Sequence, residues 1–320
     1  VKKQKRPKFK IKTLNKAYEI SDSPLYKLTT KRKLAALLLL EPVTLNALIK
    51  NTDNYNVFEQ VNSNGKKRII EHPNLELDKV HTRIASLLCR IKIPDFVHSG
   101  RAKHSHITNA RIHIGHHKVL TTDIRSFFPS TSRTHLFNFF NRKMKCSSDV
   151  SDILSKICTY NEHLPTGSRI SMPLALWANI GMFLELEKIA VKHDIKMSVY
   201  VDDITFSGDK LNKLFISTIK RIVERHGHII HPVKTVLYAK DDAKVITGVI
   251  LKDGKQFVKN EQHRNVYQDI EQWKILKDTP YMPETLKNRL LGRLNSLSAI
   301  EPKFKDKARS IRNHKTPTPY

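Results

Sequence analysis

The residues best placed to do chemistry are Asp202 and Asp203, adjacent carboxylates inside the run Lys-Met-Ser-Val-Tyr-Val-Asp-Asp-Ile-Thr-Phe-Ser-Gly at 196–208. Neighbouring negative charges repel, and a divalent cation is one reason to keep them together. Mg²⁺ is a hard ion that takes carboxylate oxygens along with the phosphate oxygens of a substrate. A bare Asp-Asp pair also occurs in ordinary turns, so its surroundings decide. Met197, Val199 and Val201 alternate with Ser198, Tyr200 and Asp202; beyond the pair, Ile204 and Phe206 alternate with Thr205 and Ser207, and Gly208 ends the run. A period of two predicts a β-hairpin that buries the first set, presents the second and carries the acids at or near its turn. A further strand-end acid, Asp123, closes the short strand expected at Lys118–Asp123, about eighty residues upstream. Taken alone, it reads as a cap or turn former.

Composition bounds what these acids could act on. The chain has 320 residues and 39% hydrophobic content, enough for two or three packed units. Its 57 Lys and Arg against 30 acidic residues give a net charge of +27, which points to a polyanionic partner bound with salt-dependent affinity. A membrane is the competing partner. The longest apolar run is the seven-residue Leu34–Leu40, too short to span, and no apolar segment with a cleavage site follows the basic N-terminus. Cys89, Cys146 and Cys158 are odd in number and scattered, which suits a reducing compartment. The histidines at 104, 106, 113, 116 and 117 lack the fixed ligand spacing of a zinc site.

The elements that must position the acids can be read in order. Residues 1–12 carry seven basic residues and no acid, the pattern of a solvated tail that could grip RNA. Leucines at helical spacing between Pro24 and Asn51, divided by Pro42, predict a helical cap. Tyr55–Pro73 reads as two strands joined by Asn62-Ser63-Asn64-Gly65, with Lys66, Lys67 and Arg68 just past the turn. An amphipathic helix over 75–91 and a polar, basic loop over 96–117 follow. Helices are expected over 133–160, 174–191 and 209–226, the last stopped by Gly227, and Ala178 and Gly181 would allow close backbone approach. A strand over Val245–Leu251 opens a hairpin that runs to 258. Leu286, Leu290, Leu294 and Leu297 then define a helix with Lys287, Arg289 and Arg293 on its other faces.

In that order, Tyr-Val-Asp-Asp resembles the metal-binding hairpin of reverse transcriptases. Asn109-Ala110-Arg111-Ile112-His113 and Ile246-Thr247-Gly248 resemble the Asn-Ala-x-x-His and Val-Thr-Gly elements of the retron type. The resemblance covers roughly 25–300 and implies an α+β right-hand polymerase with fingers, a palm of antiparallel sheet packed on helices, and a helical thumb. It implies two Mg²⁺ held by Asp123, Asp202 and Asp203, with Lys234 of His-Pro-Val-Lys-Thr near the leaving pyrophosphate. The nucleotide would meet Lys67 and Arg68 of the fingers hairpin, Phe128 excluding a ribose 2′-hydroxyl, Thr166, Gly167 and Arg169 of the Leu-Pro-Thr-Gly-Ser-Arg loop, and Tyr200. Thr166 departs from the family's Gln, and Arg169 is near enough in sequence to compensate. RNA would meet Asn109, His113, Ile246, Thr247, Gly248, Arg289 and Arg293.

The implied division is a basic tail at 1–23, helical cap and fingers at 24–117, palm at 118–250 with a fingers insertion at about 133–175, thumb at 251–301 and a basic tail at 302–320. The implied activity is RNA-directed DNA synthesis in the bacterial cytoplasm from dNTPs. The enzyme would copy part of a cognate structured non-coding RNA into branched RNA-linked DNA (msDNA), within an antiphage system containing an effector protein. Two alternatives stand: another bacterial defence or intron-type reverse transcriptase, and a non-catalytic RNA-binding scaffold.

Overall fold

The computed structural model describes residues 9–61, 65, 67–279 and 281–314. The first eight residues, the turn residues 62–64, Lys66 and residues 315–320 of the expected C-terminal tail lie outside the described residues. After a 3₁₀ turn at Ile20–Asp22 come α1 (Lys31–Leu38) and α2 (Pro42–Lys50), then β1 (Tyr55–Val61), β2 (Lys67–Pro73), α3 (Leu75–Leu88) and α4 (His106–Arg111). β3 (Val119–Asp123) is followed by α5 (Phe127–Ser130), α6 (Arg133–Asn138), a π turn at Phe139–Lys143, α7 (Ser148–Ile157), α8 (Ser171–Ala178) and α9 (Ile180–Lys192). Then come β4 (Lys196–Tyr200), β5 (Asp203–Ser207), α10 (Lys213–Arg225), β6 (Val236–Tyr238), β7 (Lys244–Ile246), β8 (Val249–Lys252) and β9 (Lys255–Val258). α11 (Asn260–Leu276), α12 (Glu284–Leu297) and α13 (Lys303–Asn313) complete the order. The architecture is α+β, as the sequence predicts.

Local chemistry explains the boundaries. Thr30, Asn74, Ser147 and Asn212 accept hydrogen bonds from N–H groups in the first turns of α1, α3, α7 and α10, and Pro42 occupies the first turn of α2. α10 ends where predicted, just before Gly227 in the left-handed region at φ +80°. The helix expected over 174–191 is broken at Asn179, which leaves helical geometry at φ −107°, ψ 12°. A methyl group added at Gly181 would meet only the His226 ring at 3.9 Å, so no backbone approaches closely there.

The central sheet has the order β4-β5-β3-β6, all antiparallel. One side packs on the main core, which runs from Leu25 to Ile230 and includes Leu120, Met197, Val199, Ile204 and Phe206. The predicted alternation holds for those residues and fails for the other set. Ser198, Thr205 and Ser207 are buried as well, because α4 and the residues after it cover that side of β4. Val201 lies in the turn and is only half-buried.

Three further expectations are corrected. Val245–Leu251 is two strands, β7 and β8, and with β9 they form a three-stranded meander. A division at 250/251 would therefore cut β8 in half. Residues 303–313 are no tail: α13 buries Phe304, Ala308 and Ile311 in a second core with Val266, Leu290, Leu294 and Leu297. Residues 9–23 are likewise held, since the Tyr18 N–H donates to the Arg90 carbonyl at 3.0 Å and the Tyr18 carbonyl accepts from Lys92 N–H at 2.8 Å. No described helix is long and apolar enough to cross a membrane.

Three buried imidazoles sit in this scaffold. Burial pushes His81 down to about 4, His113 to about 3 and His228 to about 4. The folded state keeps them neutral while the unfolded chain protonates near pH 6.5, so their stabilisation is complete above that pH and is lost as pH falls toward 4. Urea unfolding is expected to show a loss of about 1.4 kcal/mol per group for each pH unit in that window. A flat midpoint between pH 6.5 and 4.5 would refute the assignment.

Candidate active site

Strand register brings the three acids together. In the β3–β5 ladder Asp123 is the cross-strand partner of Asp203, and the Ile124 N–H donates to the Asp202 carbonyl at 3.0 Å. Directly opposed residues of an antiparallel pair have Cα atoms about 4.5–5.5 Å apart, which puts the acids together at one end of the two inner strands. Tyr200 pairs with Asp203, so Val201 and Asp202 form a two-residue hairpin loop. Val201 sits at φ +63°, a left-handed conformation that costs a β-branched residue about 1–3 kcal/mol. The surroundings hold it: Val201 N–H donates to Ser99 Oγ at 3.1 Å, while the Val199 backbone pairs with Phe96 and His98.

The electrostatics follow from crowding. Burial, then repulsion by Asp202 and Asp123, pushes Asp203 up to about 6. Asp202 is also raised, by burial first and Asp123 next, against its own backbone hydrogen bond and the charges of Lys234 and Arg68. Lys234 donates from Nζ to Asp123 Oδ2 at 2.6 Å, and this bond holds the ammonium above its ordinary value. The turn before β6 delivers it, anchored by His231 N–H to the Asp123 carbonyl at 2.7 Å and by Thr122 to Thr235 at 2.9 Å. Among the described residues no three His, Cys, Asp or Glu side chains are already set as ligands of one ion. One oxygen of Asp123 is committed to Lys234. The donor chemistry nevertheless suits a hard divalent cation: all the donors are carboxylate oxygens, and a cation would relieve the repulsion that raises Asp202 and Asp203.

The surrounding predicted residues divide into those near the acids and those engaged elsewhere. Arg68 lies close enough to act on Asp202. Lys67 is on the opposite face of the β1–β2 ribbon, paired with Glu59 at 2.9 Å, and does not join it. The loop carrying Thr166 and Gly167 docks on β2 through backbone groups: Glu71 N–H donates to the Thr166 carbonyl at 2.6 Å, and Thr166 N–H to Glu71 Oε2 at 2.8 Å. That docking explains how Thr can replace Gln at 166 without loosening the loop. Gly167 is required there, since φ is +121° and a Cβ would lie 2.8 Å from Ile70 Cγ2. Arg169 is anchored through its Nε to the buried Asp78 at 3.1 Å, which fixes the position of its guanidinium beside the loop. Phe128 is half-buried at the start of α5, and Tyr200 stands edge-on to His106 with ring centroids 6.5 Å apart.

Most residues assigned to RNA have structural work instead. Asn109, His113 and Ile246 are wholly buried. His113 accepts or donates at both ring nitrogens, to Ser207 Oγ at 2.7 Å and Ser198 Oγ at 2.8 Å, and so ties together the two strands of the acid hairpin. Ile246 joins Ile107, Ala110 and Val119 in a small core. Thr247 donates to the His106 carbonyl at 2.8 Å and faces Asn109 Nδ2 at 3.5 Å, so the two motifs at 109–113 and 246–248 meet. Gly248, at φ +89°, borders open space. Arg289 and Arg293 both grip the buried Asp269, at 2.8 and 2.6 Å, and fasten α12 to α11. Sequence reasoning missed Asp269, Glu71 and the Ser130–His228–Asn179 chain that steadies α5, with bonds of 2.8 and 2.7 Å. No local pattern announces any of them; each is defined by a partner distant in sequence.

No family model matches the chain. Its similarity lies with bacterial reverse transcriptases, and specifically with those of retrons. It is 26% identical over 244 residues to the retron Se72 reverse transcriptase of Salmonella heidelberg, covering 73% of this chain and 64% of that protein. It is 24% identical over 229 residues to the retron Ec86 reverse transcriptase of Escherichia coli, covering 70% of this chain and 71% of that protein. The retron Mx162 reverse transcriptase of Myxococcus xanthus is 25% identical over 218 residues, or 58% of this chain and 45% of that protein. The chain thus matches just under two-thirds of the Se72 protein's length. Among solved structures, a foamy viral protease-reverse transcriptase in complex with double-stranded DNA aligns over 92% of this chain and 47% of its own, with TM-score 0.49 and 16% identity.

His113→Phe should leave two buried serine hydroxyls unpaired and lower stability by about 2–6 kcal/mol in urea unfolding, at about 1–3 kcal/mol for each orphaned group. RNA affinity of the folded fraction should not change. Weakened RNA binding at unaltered stability would return His113 to an RNA-contacting role.

Proposed function

We propose that the protein is an RNA-directed DNA polymerase of the retron type. The observation that carries this reading is the pairing of Asp123 with Asp203 beside the Asp202 turn, in a chain similar to retron reverse transcriptases over most of its length. In this reading the central sheet is the palm, β1–β2 and the cap belong to the fingers, and the thumb runs from the meander through α13.

Asp123, Asp202 and Asp203 would hold two Mg²⁺ ions, which when bound supply Lewis-acid charge to an attacking primer hydroxyl and to a triphosphate. Lys234, kept protonated beside Asp123, places a positive charge where phosphate charge accumulates. Arg68 adds a second cation on the same side of the acids. In this reading the half-buried Phe128 would lie under the nucleotide sugar and reject a ribose 2′-hydroxyl by steric conflict. The net charge of +27 supplies the sequence-independent part of affinity for an RNA template. The substrate we assign is a cognate structured non-coding RNA, copied from dNTPs into branched RNA-linked single-stranded DNA. An effector protein held in check by that product would make the system an antiphage defence.

Nucleic acid extracted from cells expressing the protein with its adjacent non-coding DNA tests the retron assignment. The expected product is RNA-linked single-stranded DNA that a debranching enzyme shortens; its absence, with extension of an ordinary primed RNA template intact, would leave a reverse transcriptase of another kind. Asp202→Asn or Asp203→Asn should abolish DNA synthesis while RNA binding stays within about twofold, since the phosphate contacts that dominate binding lie elsewhere. Synthesis that survives either change would overturn the site. Phe128→Ala should admit ribonucleotides, and unaltered sugar discrimination in single-nucleotide extension would remove the gate from this residue.

A further inference from the structure

Behind α3, away from the carboxylates, a cavity of about 530 Å³ is lined by Phe9, Lys10, Lys12, Leu39, Lys79, Thr82, Arg83, Ser86 and Arg90. Its wall is one face of α3, because 79, 82, 83 and 86 recur at helical spacing, extended by Arg90 in the turn that follows. Long-range bonds build the opposite rim. Arg90 donates from Nε and Nη2 to the Lys12 carbonyl at 3.2 and 3.0 Å, and Lys12 N–H donates to Ser86 Oγ at 3.0 Å. Arg83 Nε donates to the Leu37 carbonyl at 3.0 Å, so its guanidinium is oriented as well.

The charge of this cavity is uncompensated. No acid lines it, and among the described residues none of Lys10, Lys12, Lys79, Arg83 and Arg90 lies within ion-pair distance of a carboxylate. Arg90 is only 8% exposed, and a buried guanidinium satisfied by a carbonyl alone is an expensive arrangement unless an anion completes it. Beside the cations, half-buried Phe9 and the 76%-exposed Leu39 offer an apolar shelf. Cations for a backbone and an aromatic for a base are what a single strand requires. A duplex keeps its bases stacked inside and would leave the shelf unused.

We propose that this cavity is a second nucleic-acid site, which takes one or two nucleotides of a single-stranded segment with a base against Phe9 and the phosphates on Lys10, Lys79 and Arg83. None of its residues belongs to the acid cluster or to the 165–169 loop, so the site stands or falls separately from polymerase activity.

The test uses the full chain and a 4-thiouridine-containing oligouridine of twelve nucleotides. Crosslinked peptides should include residues 9–12 or 79–90, and should do so equally in Asp203→Asn protein. Lys10→Gln/Lys79→Gln removes two exposed charges and leaves the wall's hydrogen bonds intact. It should make the salt dependence of oligouridine binding shallower by roughly 1.4 in log–log slope, about 0.7 per lost contact on a single strand. Extension of a short primer–template duplex by the one nucleotide that a single-base template overhang encodes should not change. Crosslinks confined to other peptides, an unaltered slope, displacement by equimolar ATP, or loss of short-duplex extension with the slope unaltered would each overturn the proposal. So would tighter binding of the wild-type protein to anionic lipid vesicles than to the oligonucleotide, with the same dependence on Lys10 and Lys79.

Discussion

The structure depends on holding like charges together. Asp123 and Asp203 face each other across one ladder, Asp202 follows in the turn, and burial adds to their mutual repulsion. Nothing in the strands themselves favours that crowding. It persists because the sheet's register is fixed on both sides by packing, and because Lys234 neutralises one of the three acids. The strained backbone of Val201 adds to what the scaffold must sustain.

The scaffold meets that demand through residues outside the acid hairpin. His113 spans Ser198 and Ser207 and prevents β4 and β5 from sliding, since a one-residue slip would turn every side chain to the other face. The segment that carries His113 is clamped in turn by the meander through Thr247 and the small core around Ile246. Two motifs more than a hundred residues apart therefore act as one brace. On the other side, Glu71 fastens the 165–169 loop to β2 and to His163, which frees the side chain at 166 from any docking role.

Charge is distributed as unevenly as burial. Several of the basic residues are tied to buried acids: Arg169 to Asp78, and the partly exposed Arg289 and Arg293 to Asp269. Those cations organise helices and loops. Without a paired carboxylate among the described residues are Arg68, which acts on Asp202, and the cations around α3. A helical wheel could not separate these groups, because the buried acid that claims each arginine lies 20 residues or more away along the chain.

The sequence by itself determined the hairpin with its acids, the strand ending in Asp123, the positions of most helices and the α+β class. These depend on period-two and helical spacing and on capping residues, which are local. Tertiary structure alone decided that Asn109, His113 and Ile246 are buried, that Lys67 turns away, that Arg169 is anchored to Asp78, and that 303–313 closes the last helical bundle rather than trailing as a tail. Each of these outcomes is set by a partner brought near only by folding. A surface-like motif and a buried brace have the same local pattern until the element that covers them is in place.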